Sequence, residues 1–149
     1  MAQDMMMLPA EISAEGMKTV LEAHATGAQI YDCKANDQGA LEWSFREPVA
    51  NLVVDGKTVG HHYPGPSWQL TDGSSVQGKL AAKVPGKTEA DIPWLKLDVV
   101  AHSGMGGLAG VTTVQRINTV GGVLKGACDM AGAQQAVPYS ADYVFLSAQ

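Results

Sequence analysis

The sequence predicts an all-β fold, built as a single antiparallel β-sandwich or barrel with turns rich in Gly and Pro. Segments rich in β-branched and aromatic residues recur along the chain, and Gly, Pro, Asn or Asp separate them. Many of these segments alternate apolar and polar residues, as half-buried strands do. A chain of 149 residues can bury one sizeable core. We expect a Met-rich N-terminal tail at residues 1–13 and a single β domain at residues 14–149.

The first segment of the domain is ambiguous. In residues 14–25, Met17, Val20 and Leu21 follow helical spacing, whereas Leu21, Ala23 and Ala25 alternate as in a strand. Helix and strand both remain open, with a slight preference for a strand.

Strand signals dominate from Gly27 onward. Asp55-Gly56 and Asp72-Gly73 are strong hairpin turns, and Pro85-Gly86 marks another turn. Residues 111–118 and 121–125 are expected to form one further strand pair. The strands are predicted at residues 28–33, 41–46, 51–54, 57–62, 67–70, 75–82, 94–102, 111–118, 121–125 and 137–146.

Cys33 and Cys128 are the only cysteines. If they pair, the disulfide closes a loop over most of the domain and stabilises it by roughly 4–5 kcal/mol on the chain-entropy account. It would also indicate an oxidising compartment, so that the protein would be secreted or periplasmic. Two separate buried thiols are the alternative, because an even cysteine count does not exclude them.

Charge and hydropathy argue against two classes of partner. The net charge is −5 and the 10 basic residues are scattered singly, so nucleic acid is not an expected partner. No stretch approaches the roughly 20 apolar residues of a transmembrane segment. Residues 1–9 lack the basic and apolar regions of a signal peptide, so an exported form would already have lost its leader.

The densest polar and aromatic stretch, residues 60–72, is the candidate ligand-binding surface. Histidines and aromatic side chains beside rigid prolines can line a ligand pocket. Neighbouring strand residues point to opposite faces, so the structural alternative is one buried histidine and one exposed histidine. The predicted ligand-binding residues are His61, His62, Tyr63, Trp68 and Asp72.

A metal site is an alternative interpretation of the same segment. Imidazole binds copper and zinc, so His61 or His62 could serve as a ligand. The two cannot easily share one ion, and either would need His24, His102 or a carboxylate such as Asp72 as a partner. No HxH, HExxH or CxxC spacing supports such a site.

We predict no cofactor and no catalytic residue. Residues 104–109 fit the pattern G-x-G-x-x-A, but the β-branched segment after them is a poor helix start, so a dinucleotide loop is rejected. No serine lies in a G-x-S-x-G elbow. An uncharacterised hydrolase-type enzyme remains a further alternative. Asp142 is expected to be a buried hydrogen-bond acceptor for Arg116 in a structural ion pair.

Several short motifs follow one another from Gly27 almost to the C-terminus. They are Gly27-Ala28-Gln29-Ile30-Tyr31-Asp32-Cys33, Gly60-His61-His62-Tyr63-Pro64-Gly65-Pro66-Ser67-Trp68, Asp72-Gly73-Ser74, Ile92-Pro93-Trp94-Leu95, Val114-Gln115-Arg116-Ile117 and Val137-Pro138-Tyr139-Ser140-Ala141-Asp142-Tyr143. In this order they resemble a family of small exported proteins of bacteria and fungi, domain of unknown function 3455. The resemblance implies a secreted or periplasmic domain and pairing of Cys33 with Cys128. It implies no activity, substrate or catalytic residue.

The sequence therefore predicts a secreted or periplasmic, non-catalytic β domain. In the first hypothesis it binds a small molecule, a carbohydrate or a protein through the candidate surface. In the second it is a structural component that self-associates through its apolar tail at residues 5–8 or through open sheet edges.

Overall fold

The chain forms one closed antiparallel barrel of eight strands in the computed structural model, which describes residues 8–148. Each strand pairs with the next one along the chain, and the last strand pairs with the first. The predicted all-β fold class is confirmed, and the architecture is the barrel. The strands are β1 (Lys18–Ala35), β2 (Leu41–Val54), β3 (Lys57–Tyr63), β4 (Ser67–Leu70), β5 (Ser75–Val84), β6 (Trp94–Ser103), β7 (Thr113–Gly121) and β8 (Gln134–Ser147).

Turn chemistry accounts for the hairpins. Asp55 and Gly56, between β2 and β3, have φ angles of 51° and 78°, the left-handed conformation that a tight two-residue hairpin turn requires. Asp72-Gly73 lies in a longer connection, residues 71–74, which joins β4 to β5 and in which the glycine has a φ of 93°. Both predicted hairpins are confirmed, and the ambiguous segment at residues 14–25 contributes the start of β1 at Lys18.

The expected strand pair at residues 111–118 and 121–125 is wrong. Residues 113–121 form the single strand β7, which pairs with β6 and β8. Asn118 has a φ of 54°, and the β7–β8 register shifts between Ile117 and Val120. The asparagine therefore belongs to a bulge inside a strand rather than to a turn between two strands.

The inward side chains of the barrel form the main core. Along β8, the inward positions alternate with residues of the outer surface, as the period of a strand requires. The buried members of this cluster are Ala23, Ala25, Ala50, Leu52, Trp68, Val76, Ile92, Leu97, Leu108, Val111, Val114, Tyr139, Ala141, Tyr143 and Phe145.

The two ends of the barrel are built differently. The connections after β1, β3, β5 and β7 lie at one end, here called the upper end, and those after β2, β4 and β6 lie at the lower end. The glycine-rich segment at residues 104–109 belongs to the lower connection between β6 and β7 and is followed by a strand. Its Leu108 is fully buried in the core and closes the lower end.

A disulfide joins Cys33 to Cys128, with their Cα atoms 5.9 Å apart. Cys33 lies near the upper end of β1, and Cys128 lies in the connection between β7 and β8. Backbone bonds support the same junction, because the N–H of Cys128 donates to the carbonyl of Leu41. The disulfide prediction is confirmed, and the alternative of two free thiols is wrong.

A second apolar cluster lies outside the barrel wall. The short 3₁₀ helix Ala10–Ile12 places Ile12, which is fully buried, against Trp94, Ile117 and Leu146 on the outer face of the sheet. The side-chain amide of Gln115 donates to the Ile12 carbonyl at 2.7 Å. Residues 8–13 of the expected tail therefore pack on the barrel, whereas residues 1–7 lie outside the described part of the chain.

We expect Ile12→Ala to lower the free energy of unfolding by about 2–5 kcal/mol, because it removes buried methyl groups and leaves a cavity under the 3₁₀ helix. Urea unfolding measures the change. Glu11→Ala is the matched control, since Glu11 is exposed in the same helix. Equal stability of Ile12→Ala and Glu11→Ala would show that the N-terminal segment does not stabilise the barrel.

Closure of the sheet removes one of the two predicted routes to self-association. Every described strand pairs with a neighbour on each side, so the open sheet edges of the second hypothesis do not exist in this part of the chain. That route to self-association was wrong because the barrel has no first or last strand. The apolar tail at residues 5–8 lies almost wholly outside the described residues.

Candidate functional site

A cavity of about 390 Å³ opens at the upper end of the barrel. Its walls come from β1, β2, β3, β4, β6, β7 and β8 and from the prolines of the β3–β4 connection. Most of the wall is apolar or aromatic, with a few polar side chains reaching in. The lining residues are Gln29, Phe45, Arg46, Pro48, His62, Pro64, Gly65, Pro66, Trp68, Leu95, Leu97, Arg116 and Tyr143.

Stacked aromatic rings form the floor of the cavity. His62 and Trp68 lie on the paired strands β3 and β4, and their rings stack with centroids 4.7 Å apart and planes 10° apart. Tyr143 packs edge-on against Trp68 at 5.5 Å. All three side chains are buried, so this part of the wall is closely packed.

His62 is held as a neutral imidazole. Its Nδ1 lies 2.8 Å from the Ser67 carbonyl oxygen, which only accepts, so Nδ1 carries the proton. Burial lowers the pKa of His62 to about 4; the bond to Ser67 opposes this shift, while the charge of Arg116 adds to it. At neutral pH the ring is therefore uncharged, and Nε2 is a hydrogen-bond acceptor.

Arg116 brings a permanent positive charge into the barrel. The side chain is buried, and its Nε donates to the Pro93 carbonyl at 3.0 Å. Among residues 8–148, no carboxylate forms an ion pair with it. Nearby, the Tyr139 and Tyr143 hydroxyl oxygens lie 3.1 Å apart, and burial raises the pKa of both tyrosines against the opposing charge of Arg116.

Two buried polar atoms of the cavity walls have no hydrogen-bond partner within the described chain. They are Oε1 of Gln29 and Nε1 of Trp68. Gln29 is 6% exposed and Trp68 is 1% exposed, so neither side chain reaches bulk solvent. A buried polar group without a partner costs about 1–3 kcal/mol, which makes these atoms natural contacts for a bound molecule.

The structure separates the five residues of the predicted ligand-binding surface. His62 and Trp68 line the cavity. His61 and Tyr63 lie side by side on the outer face of β3, with ring centroids 5.0 Å apart. His62 is therefore the buried histidine and His61 the exposed one, which is the structural alternative considered for this segment.

Asp72 lies at the lower end of the barrel, opposite the cavity. Its carboxylate accepts hydrogen bonds from the Ser74 hydroxyl at 2.6 Å and from the Gly107 N–H at 2.9 Å. These bonds, led by that of Ser74, lower the pKa of Asp72. The N–H of Leu108 in turn donates to the Ser74 hydroxyl oxygen. Asp72 and Ser74 therefore link the β4–β5 connection to the β6–β7 connection at the lower end.

The expected ion pair between Asp142 and Arg116 is wrong. Asp142 faces outward, where it accepts hydrogen bonds from His24 Nδ1 at 2.8 Å and Asn118 Nδ2 at 2.9 Å. Its neighbours Ala141 and Tyr143 point into the core. Strand alternation therefore places Asp142 and Arg116 on opposite faces of the sheet.

The histidines considered as metal ligands are dispersed. His24 is bonded to Asp142, and Nε2 of His102 donates to the Val111 carbonyl at 2.7 Å. Within residues 8–148, no group of three or more His, Cys, Asp or Glu side chains is placed to hold a metal ion.

Residues 13–147 match the family described as Protein of unknown function (DUF3455). The chain belongs to this family. The resemblance inferred from the motifs is confirmed. No curated protein and no solved structure matches the chain. The part of this DUF3455 protein that the structure describes contains no helix with the length and hydrophobicity of a membrane span.

Most cavity residues of the DUF3455 domain were absent from the predicted surface. Among them are the polar residues Gln29, Arg116 and Tyr143. Each lies in one of the motifs on which the resemblance was based, where Gln29 and Tyr143 had no predicted role and Arg116 was expected only as the partner of Asp142. The motifs were therefore a usable signal for the cavity, although they do not show that distant strands meet there.

Proposed function

We propose that this barrel binds a small organic molecule in its upper cavity and acts as a non-catalytic binding protein. The observation that carries the proposal is the cavity of about 390 Å³. Ligand sites are typically concavities of this size with mainly apolar and aromatic walls and a few convergent polar groups. The mouths of small β-barrels are a common place for them.

His62 supports a binding role over a catalytic one. A general base works best when its pKa lies near the operating pH. The pKa of His62 is lowered to about 4, and its Nδ1 proton is held by Ser67. Such a ring is a weak base at neutral pH, but it is a well-oriented hydrogen-bond acceptor and a flat stacking surface.

The proposal places the protein outside the cytoplasm, as a secreted or periplasmic component. The intramolecular disulfide supports this placement, because such bonds persist mainly in oxidising compartments. Protein isolated from its own cells with both sulfurs titrating as free thiols would contradict it.

The neutral fluorophore N-phenyl-1-naphthylamine tests the binding proposal. We expect its emission to rise on titration with the wild-type protein, because the naphthyl ring leaves water for the apolar cavity. Leu95→Trp fills part of the cavity and is expected to weaken binding by about tenfold, because the fluorophore loses apolar contact equivalent to one to two methylene groups.

Leu80→Trp is the matched control, since Leu80 is exposed on β5 and lies outside the cavity. It should bind the fluorophore as the wild type does. Circular dichroism confirms that each variant is folded. If wild type and Leu95→Trp bind the fluorophore equally, the upper cavity is not its binding site.

A further inference from the structure

We propose that the ligand is an organic anion, with a flat apolar body and one carboxylate that pairs with Arg116. This inference rests on the proposed function and adds the chemical class of the bound molecule. It follows from the charge balance of the cavity, from the hydrogen-bonding groups on its walls and from the shape of its apolar surface.

The cavity is positively charged in an acidic protein. The whole chain carries a net charge of −5, yet among the described residues no Asp or Glu lines the cavity, whereas Arg46 and Arg116 do. Arg46 is compensated, because it is half exposed and pairs with Asp32 at 3.1 Å and Glu47 at 3.4 Å. The charge of Arg116 is the one that lacks a carboxylate within residues 8–148.

A buried cation of this kind is costly unless an anion pairs with it. Tyr139, Tyr143 and His62 do not supply that anion, because burial raises the pKa of both tyrosines and leaves His62 neutral. A ligand carboxylate would supply it. The preference for an anion therefore comes from Arg116, a buried residue of the barrel wall.

The hydrogen-bond donors of the cavity also suit a carboxylate. With Nε committed to Pro93, the terminal nitrogens of Arg116 form the planar fork that a carboxylate engages through two parallel bonds. The indole N–H of Trp68 is a second donor, and it has no partner in the described chain. A carboxylate accepts from both types of donor, whereas a neutral hydrocarbon satisfies neither.

The remaining walls describe the rest of the ligand. Phe45, Pro48, Pro66 and the stacked Trp68 present flat apolar surfaces. Planar rings pack well against such faces. One uncompensated guanidinium balances one negative charge, so a phosphate dianion would leave a second charge buried without a partner. The cavity therefore fits an aromatic monocarboxylate.

The matched probes 2-naphthoate and 2-naphthamide test this inference by calorimetry at pH 7. They share a ring system and differ mainly in charge. We expect the wild-type protein to bind 2-naphthoate about ten- to a hundredfold more tightly than 2-naphthamide, the range of a charge-assisted bond. 2-Naphthyl phosphate is expected to bind less tightly than 2-naphthoate.

Arg116→Gln should abolish the preference for 2-naphthoate, while Arg46→Gln, the same substitution at the exposed and paired arginine of the same cavity, should retain it. The comparison of the probes on wild-type protein needs no variant, so it decides the question even if Arg116→Gln does not fold.

The outcomes separate the two proposals. If wild type binds both naphthyl probes equally, the ligand is not an anion but the cavity still binds small molecules. If the preference survives in Arg116→Gln or disappears in Arg46→Gln, the assignment to Arg116 is overturned. Tighter binding of 2-naphthyl phosphate overturns the carboxylate. If neither naphthyl probe nor N-phenyl-1-naphthylamine binds, the proposed function itself fails.

Discussion

Replacing Cys33 and Cys128 together by serine is expected to lower the free energy of unfolding by roughly 4 kcal/mol. The disulfide connects residues 95 positions apart, so its loss frees a long loop in the unfolded chain. That loss is a large part of the roughly 5–15 kcal/mol that stabilises an ordinary domain. Guanidinium unfolding of the double variant and the wild type measures the difference.

Reductant provides the control for this experiment. Added to the wild type, it should lower the unfolding midpoint towards that of the double variant. Added to the double variant, it should change nothing. If reduced wild type keeps its unfolding midpoint although both thiols titrate as free, the disulfide contributes little to stability. The core alone would then stabilise the barrel.

Local chemistry made much of the fold predictable. The dipeptide Asp55-Gly56 specifies a tight turn whatever surrounds it, and the hairpin of β2 and β3 follows. Asn118 shows the limit of the same reasoning, because a left-handed residue serves equally well in a turn or in a bulge. Only pairing with both β6 and β8 decides between them.

The orientation of Arg116 could not be predicted, because both faces of β7 are buried. Inward, Val114 and Arg116 face the core, and outward, Ile117 lies beneath Ile12 of the N-terminal segment. A strand covered on both sides lacks the alternation from which a sequence reveals its inner face. Because the N-terminal segment covers the outer face of β7, the sequence pattern does not reveal that Arg116 points inward.

Barrel closure explains why the predicted site was partly dispersed. Trp68 and Asp72 are close in sequence, but β4 runs between them at about 3.3 Å per residue, which takes Asp72 to the lower end. Conversely, Gln29, Arg116 and Tyr143 come from distant strands and meet His62 only because the sheet closes on itself. The candidate surface, which is continuous in sequence, therefore contained only two of the cavity residues, His62 and Trp68.

Acidification from pH 6.5 to pH 4 is expected to cost the protein about 3 kcal/mol of stability through His62 alone. The pKa of this group is about 4 in the folded protein and 6.5 when unperturbed. Between pH 6.5 and pH 4, His62 is protonated in the unfolded chain but not in the folded barrel, so lowering the pH favours unfolding. The stabilising contribution is fully present above pH 6.5.

Urea unfolding at pH 7, 6, 5 and 4 measures this effect in wild type, His62→Asn and His61→Asn. Asparagine at position 62 can still donate to the Ser67 carbonyl but does not titrate. His61 is the matched control, because it is exposed on the neighbouring position of the same strand. The difference between wild type and His62→Asn isolates His62 from the carboxylates, which titrate in all three proteins.

We expect stability to fall with pH in wild type and in His61→Asn, and to fall by about 3 kcal/mol less in His62→Asn. The physical reason lies in the cavity, where a protonated His62 would lose its hydration and face the charge of Arg116. An identical pH dependence in wild type and His62→Asn would mean that the ring titrates normally. Burial and the charge of Arg116 would then not hold His62 neutral.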